Sequence, residues 1–130
     1  MLRTNLFKTV ARDETRVIAV RDTLTIPSGE TDAYTIDTMH CLQGRFGIGY
    51  HFLVILNGNI QLCRDIETCG SHSRKIDDIS VAIGVTGGVD EEGTRTYTRT
   101  PEQVSAIEDL IEFLAERYPT AEVSDRPQGD

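Results

Sequence analysis

The chain has 130 residues, 21 acidic against 13 basic, for a formal net charge of −8. That length holds one compact core, and the acidic balance disfavours direct binding to a phosphate backbone and favours a basic partner or simple solubility. Hydrophobic content of 38% with no long apolar run excludes a membrane-spanning helix and fits a soluble domain.

Leu6-Phe7 reads as an early strand or arm, and Arg12 to Arg16 as a charged turn. Val17 to Val20 is the first strand, ended by Arg21-Asp22, and Ile26 to Gly29 is a loop. A helix is expected from Asp32 to Gln43, with Thr31 as N-cap and Gly44 just past its end. The segment GIGYHFLVILNG, Gly47 to Gly58, organises the chain. Its short apolar run predicts a strand buried on both faces from Tyr50 to Leu56. Asn57-Gly58 predicts a tight hairpin with positive φ angles, leading into a partner strand from Asn59 to Cys63.

Arg64 to Asp78 is a long polar loop of the kind that carries function. Ile79 to Thr86 is a second buried strand, closed by Gly87-Gly88. Thr100-Pro101-Glu102-Gln103 is a capping box with proline at the first helical position, opening a helix to about Arg117. Val104, Ile107, Leu110, Ile111 and Leu114 form its apolar stripe. Residues 121–123 read as a last short strand, residues 1–123 as one domain, and residues 124–130 as a disordered tail. Interleaved strands and helices give an α/β class, a central mixed sheet flanked by helices.

Cys41, Cys63 and Cys69 are odd in number and fit a reducing compartment, and the N-terminus has no signal-peptide core. Residence in a reducing cytoplasm is the expectation. Cys63, Cys69 and His72, with His51 nearby, form a C-x5-C-x2-H set whose spacing is wider than zinc sites prefer. His51 reads as a core histidine and His40 as a packing or capping residue on the helix.

Several strings, taken in order, resemble the type 2 N-acetylmuramoyl-L-alanine amidases, nearest the small bacteriophage lysozymes, which share a fold with peptidoglycan recognition proteins. They are Val17 to Thr25, Met39-His40 with Gln43-Gly44, Gly49 to Phe52 and Asn57-Gly58. Arg64-Asp65, Gly70-Ser71-His72, Ile83 to Val85, Gly87 to Asp90 and Thr100 to Gln103 follow. The resemblance implies an amidase-like fold and a zinc ion held by two histidines and a cysteine, acting on the amide between muramic acid and L-alanine.

The first histidine of that set falls on Arg21, which cannot serve as a ligand. The other two would follow the last helix, where SDRPQGD holds neither histidine nor cysteine and Asp125 alone makes no site. No cofactor and no catalytic residue are therefore expected, with Tyr50 as a remnant of the catalytic pocket. Arg21 reads as a fixed cation that pairs with Asp22 or binds a carboxylate or phosphate. Tyr50, Ser71 and His72 read as groove residues. The expected role is binding without hydrolysis, most of all to a protein partner such as a phage RNA polymerase or a virion component. Binding of a peptidoglycan fragment, or an active amidase, are the alternatives.

Overall fold

Two runs of alternating-face apolar residues meet at the centre of the molecule and fix its layers. The computed structural model describes residues 10–45 and 47–126. The elements are β1 (Val17–Asp22), α1 (Ala33–Leu42), β2 (Phe52–Val54), β3 (Ile60–Leu62), β4 (Ser80–Val85), α2 (Pro101–Arg117) and β5 (Glu122–Arg126). They form one five-stranded sheet in the order β3-β2-β4-β1-β5. β1 pairs in parallel with β4 and β5, β2 pairs in parallel with β4, and β3 is antiparallel to β2, so the sheet is mixed.

Side chains alternate along each strand, which splits the core in two. Ile18, Val20, Phe52, Val54, Val81, Ile83 and Val85 pack under Ile107, Leu110 and Leu114 of α2. On the other face Leu53, Ala82, Ile48 and Tyr50 pack with Ile36 of α1. β4 is buried at all six positions, as a central strand covered by a helix on each side must be.

The capping box is present in full: Gln103 N–H donates to Thr100 Oγ1, and Gln103 Oε1 accepts from Thr100 N–H. Gln103 does more than cap. Buried with no exposure, its Nε2 also donates to the carbonyls of Val54 and Thr86 and lies 3.2 Å from Thr86 Oγ1. It ties the start of α2 to the ends of β2 and β4. Gln103→Ala should cost about 2 kcal/mol, since it removes the cap and orphans buried acceptors. Urea denaturation checks this, and Glu102→Ala beside it should change stability far less.

Several boundaries differ from the sequence reading. The N-cap of α1 is Asp32, whose Oδ1 accepts from Thr35 N–H, so the cap lies one residue past the expected Thr31 and the helix starts at Ala33. β2 keeps three residues of the expected seven. Its ladder ends at His51, whose carbonyl takes both the Cys63 and Arg64 amides, two residues against one. The hairpin is not the expected two-residue turn. Gly58 N–H donates to Ile55 O and Ile55 N–H to Asn59 O, with positive φ at Gly58 (88°) and not at Asn57. The loop therefore has three residues and a glycine in the left-handed position. β5 reaches Arg126, so residues 124–126 are strand and not tail, because they pair with β1 through Arg21. The Leu6-Phe7 element and residues 127–130 lie outside the described residues. No helix of the described residues is long and apolar enough to cross a membrane.

Candidate functional site

The α1 face of the sheet carries the small residues Ala19, Ala82 and Gly84 on β1 and β4, and His40 of α1 with Tyr50 and His72 of two loops stand above them. Gly84 is the clearest case. It lies between Arg21 and Leu53 in register, and a Cβ there would stand 2.5 Å from Cδ2 of Tyr50. The tyrosine ring therefore rests on a bare strand. His40 flanks it at 5.5 Å between ring centroids, and His72 stacks at 6.4 Å with 29° between planes.

His72 is held by its own loop. Asp77 Oδ1 accepts the amides of His72 and Ser73, and His72 Nε2 lies 3.0 Å from Ser80 Oγ and 3.4 Å from Asp77 Oδ1. With the Nε2 proton turned to these oxygens, Nδ1 is a buried acceptor that has no hydrogen-bond partner. Burial holds the ring neutral, with a pKa lowered to about 4; Asp77 opposes this, and Arg21, Arg45 and Arg64 reinforce it.

Ser71 joins the site through its backbone. Its N–H donates to Gly49 O, and its carbonyl accepts from Arg45 Nη1. A Cβ on Gly49 would collide with that carbonyl, so the glycine admits the loop. Arg64 donates to the carbonyls of Ile48 and Cys69 and braces the same wall.

Arg21 is buried at the end of β1, and its guanidinium crosses to β5. Nη1 donates to Val20 O (2.9 Å) and Ser124 O (2.7 Å), and Nη2 to Ser124 Oγ (3.1 Å). Asp22 does not pair with it, contrary to the expectation, because the next residue of a strand turns to the opposite face. There Arg99 binds Asp22 Oδ1 through Nε and Nη2 and grips both oxygens of Asp125. Burial still raises the Asp22 carboxyl to about 6, against the lowering pull of Arg99.

The structure thus brings Arg21, Tyr50, Ser71 and His72 to one face. The sequence reading missed Arg45, Arg64, Asp77, Ser80 and Ser124. Ser124 was assigned to the tail, and the others carry no spacing signal because long-range folding alone assembles them. His51 sits apart. Its Nδ1 accepts Ala82 N–H and its Nε2 lies 2.6 Å from Thr68 O, beside Arg12. His40 Nδ1 accepts Gly49 N–H and shapes the loop under Tyr50.

The donor chemistry at this face does not suit a metal. Among the described residues no group of three or more His, Cys, Asp or Glu side chains could hold one. Cys63, Cys69 and His72 do not converge: the two thiols lie near Gln61 O and Ala11 O, and burial pushes the Cys63 thiol up to about 11. Where the resemblance places a histidine stands a guanidinium already bonded to β5.

No protein-family model matches the chain. An endolysin of Enterobacteria phage K11 is 31% identical over 110 residues, which cover 85% of this chain and 73% of that protein. Among solved structures, the N-acetylmuramoyl-L-alanine amidase LysC from Clostridium intestinale URNW superposes with a TM-score of 0.77 at 22% identity, over 96% of this chain and 78% of that one. Peptidoglycan recognition protein-LE, solved in complex with tracheal cytotoxin, a monomeric diaminopimelic acid-type peptidoglycan, gives 0.76 at 18%, over 100% and 78%. The architecture is that of the amidases and recognition proteins, and with the endolysin relationship it follows that the chain belongs to the type 2 N-acetylmuramoyl-L-alanine amidase family.

Proposed function

We propose that this protein is an amidase-fold protein that works without zinc, by binding and not by hydrolysis, with a protein as its main partner. One observation carries the reading: the Arg21 guanidinium, at the place at the end of β1 where the resemblance puts the first histidine, is bonded to Ser124. An arginine stays protonated at any working pH, so it repels a divalent cation from that place. Tyr50 then serves as a wall and hydrogen-bond donor, not as support for a metal-bound transition state.

The test is an assay of the purified protein on peptidoglycan with added zinc, scored by new L-alanine amino termini. No release above buffer is expected, and zinc content should stay well below one ion per chain. Release of such termini with bound zinc would overturn the reading and restore amidase activity as the function.

A second reading, capture of a peptidoglycan fragment at the Tyr50–His72 face, has its own support. Arg21, Arg45 and Arg64 all bear on His72 in a protein of net charge −8, and local cations suit the carboxylates of a muropeptide stem. Recognition protein-LE, of the same fold, is seen with such a fragment. Sedimentation with purified cell walls tests it.

A further inference from the structure

Among the described residues, strand β3 lies at the edge of the sheet and pairs with β2 alone. Its ladder bonds come from Asn59 O, which accepts from Ile55, and from Cys63 N–H, which donates to His51 O. In an antiparallel pair this places residues 59, 61 and 63 toward β2, and turns the backbone groups of Ile60 and Leu62 outward. Side chains alternate as well. Gln61 points to the α1 side, where its Oε1 accepts Ala33 N–H. Ile60 and Leu62 lie on the α2 side, opposite Val54 and Phe52.

Val54 and Phe52 are covered by α2, but Ile60 is 42% exposed and Leu62 65%. Natural sheets blunt such an edge with lysine, proline or a bulge; the β3 sequence Ile60-Gln61-Leu62 has no lysine or proline, and the bulge at Cys63 and Arg64 lies past its end. The flank of α2 faces this edge. Glu102, Asp109, Phe113 and Glu116 recur along it at helical spacing, and Phe113 is 48% exposed. Between strand and helix runs a groove of about 440 Å³, lined by Gly58, Ile60, Glu102, Ser105, Ala106 and Asp109 among others. No lysine or arginine lines it. The groove is acidic on its helix side and lined on its strand side by Asn57, Gly58, Asn59 and Ile60, with the exposed side chains of Leu62 and Phe113 beyond it, while the cations of the Tyr50–His72 face sit across the sheet.

We propose that the β3–α2 groove docks a basic, extended segment of a partner protein. The segment adds as a strand to the outer edge of β3, rests apolar side chains on Ile60, Leu62 and Phe113, and presents lysine or arginine to Glu102 and Asp109. Backbone pairing supplies affinity and the acidic rim selects the sign of the partner. The inference rests on the protein-binding reading above, but on residues remote from Arg21.

The probe is the capped hexapeptide Lys-Thr-Val-Thr-Lys-Thr, which sets lysine and valine on one face of a strand, titrated into ¹⁵N-labelled protein, with Glu-Thr-Val-Thr-Glu-Thr as its counterpart. The lysine peptide should shift the amides of Ile60, Leu62 and the α2 flank, and the glutamate peptide should not. Asp109→Lys should weaken the lysine peptide about 10-fold, whereas Glu91→Lys, an equal change of net charge in a distant loop, should leave it unchanged. Leu62→Lys, at an exposed edge position, should abolish the shifts with the fold intact by circular dichroism. Equal binding of both peptides, equal effects of the two charge reversals, shifts centred on Tyr50 and His72, or no binding at millimolar peptide would each overturn the groove. Zinc-dependent hydrolysis would sink the preceding reading instead, and would leave these shifts as they are.

Discussion

Taking the protein from pH 7 to pH 5 should lower its unfolding free energy by about 4 kcal/mol, a large part of an ordinary domain's stability. The cause is three histidines folded into places that hold them neutral. Burial lowers His40, His51 and His72 each from 6.5 to about 4. Around His40 the cations Arg45 and Arg64 add to this and Asp37 opposes it. Around His51 the Thr68 carbonyl opposes it, and Arg12, Arg64 and His72 add to it.

A lowered folded pKa gives stability that is complete above 6.5 and lost as the pH falls toward 4, because the unfolded chain takes up protons that the folded one refuses. At pH 5 each histidine forfeits about 2 kcal/mol. Asp22 acts in the opposite sense. Its carboxyl is raised from 3.8 to about 6 by burial, so the folded chain takes the proton first and regains about 1 kcal/mol at pH 5. The carboxylates Asp32 and Glu67 have lowered pKa values and act below this window. Urea midpoints at pH 7, 6 and 5 should fall steadily. A flat profile would mean that the histidines are charged in the folded state, and with it the neutral Tyr50–His72 stack would be lost.

What the sequence made legible is what depends on neighbours along the chain. The capping box at Thr100 is local chemistry, and it appears as written, down to both reciprocal bonds. The six-residue strand β4 announces itself as an apolar run because helices cover both its faces. The family was legible too, through ordered strings that trace the strands and loops of the site. The failures have one physical cause, which is pairing at long range. Residues 124–126 are polar and look like tail, yet β1 offers them an open edge and Arg21 anchors Ser124. The Asn57-Gly58 dipeptide favours a two-residue turn. A Cβ on Gly58 would come within 3 Å of the Glu102 backbone, so the hairpin is fitted against α2 and not set by its own residues alone. Asp22 was read as a partner for Arg21, and strand alternation with Arg99 on the far face decided otherwise. The β3–α2 groove could not be read at all, since only the fold shows that β3 is an edge strand with Ile60 and Leu62 exposed on it.

Gly84→Ala should destabilise the protein by about 3 kcal/mol, and most of that cost should vanish when Tyr50 is first removed. A methyl group at residue 84 enters the Tyr50 ring at Cγ and Cδ2, not at a flexible tip, so the ring must move as a body. It cannot move freely, because His40 and His72 flank it and Ile48, Leu53 and Ala82 share its cluster. Tyr50→Ala alone should cost about 3 kcal/mol through the cavity it leaves. That cavity accepts the methyl of Gly84→Ala, so the double variant should be more stable than the sum by about 2 kcal/mol. Additive costs would show that the ring does not rest on Gly84. The same variants probe the site. If the ring is a wall for a peptidoglycan fragment, Gly84→Ala weakens sedimentation with purified walls while Tyr50→Phe retains it. Should Tyr50→Phe lose the walls as well, the hydroxyl is the recognising group. If Gly84→Ala, Tyr50→Ala and Tyr50→Phe all sediment as the parent does, the Tyr50–His72 face is not where walls bind, and the protein-docking reading stands alone.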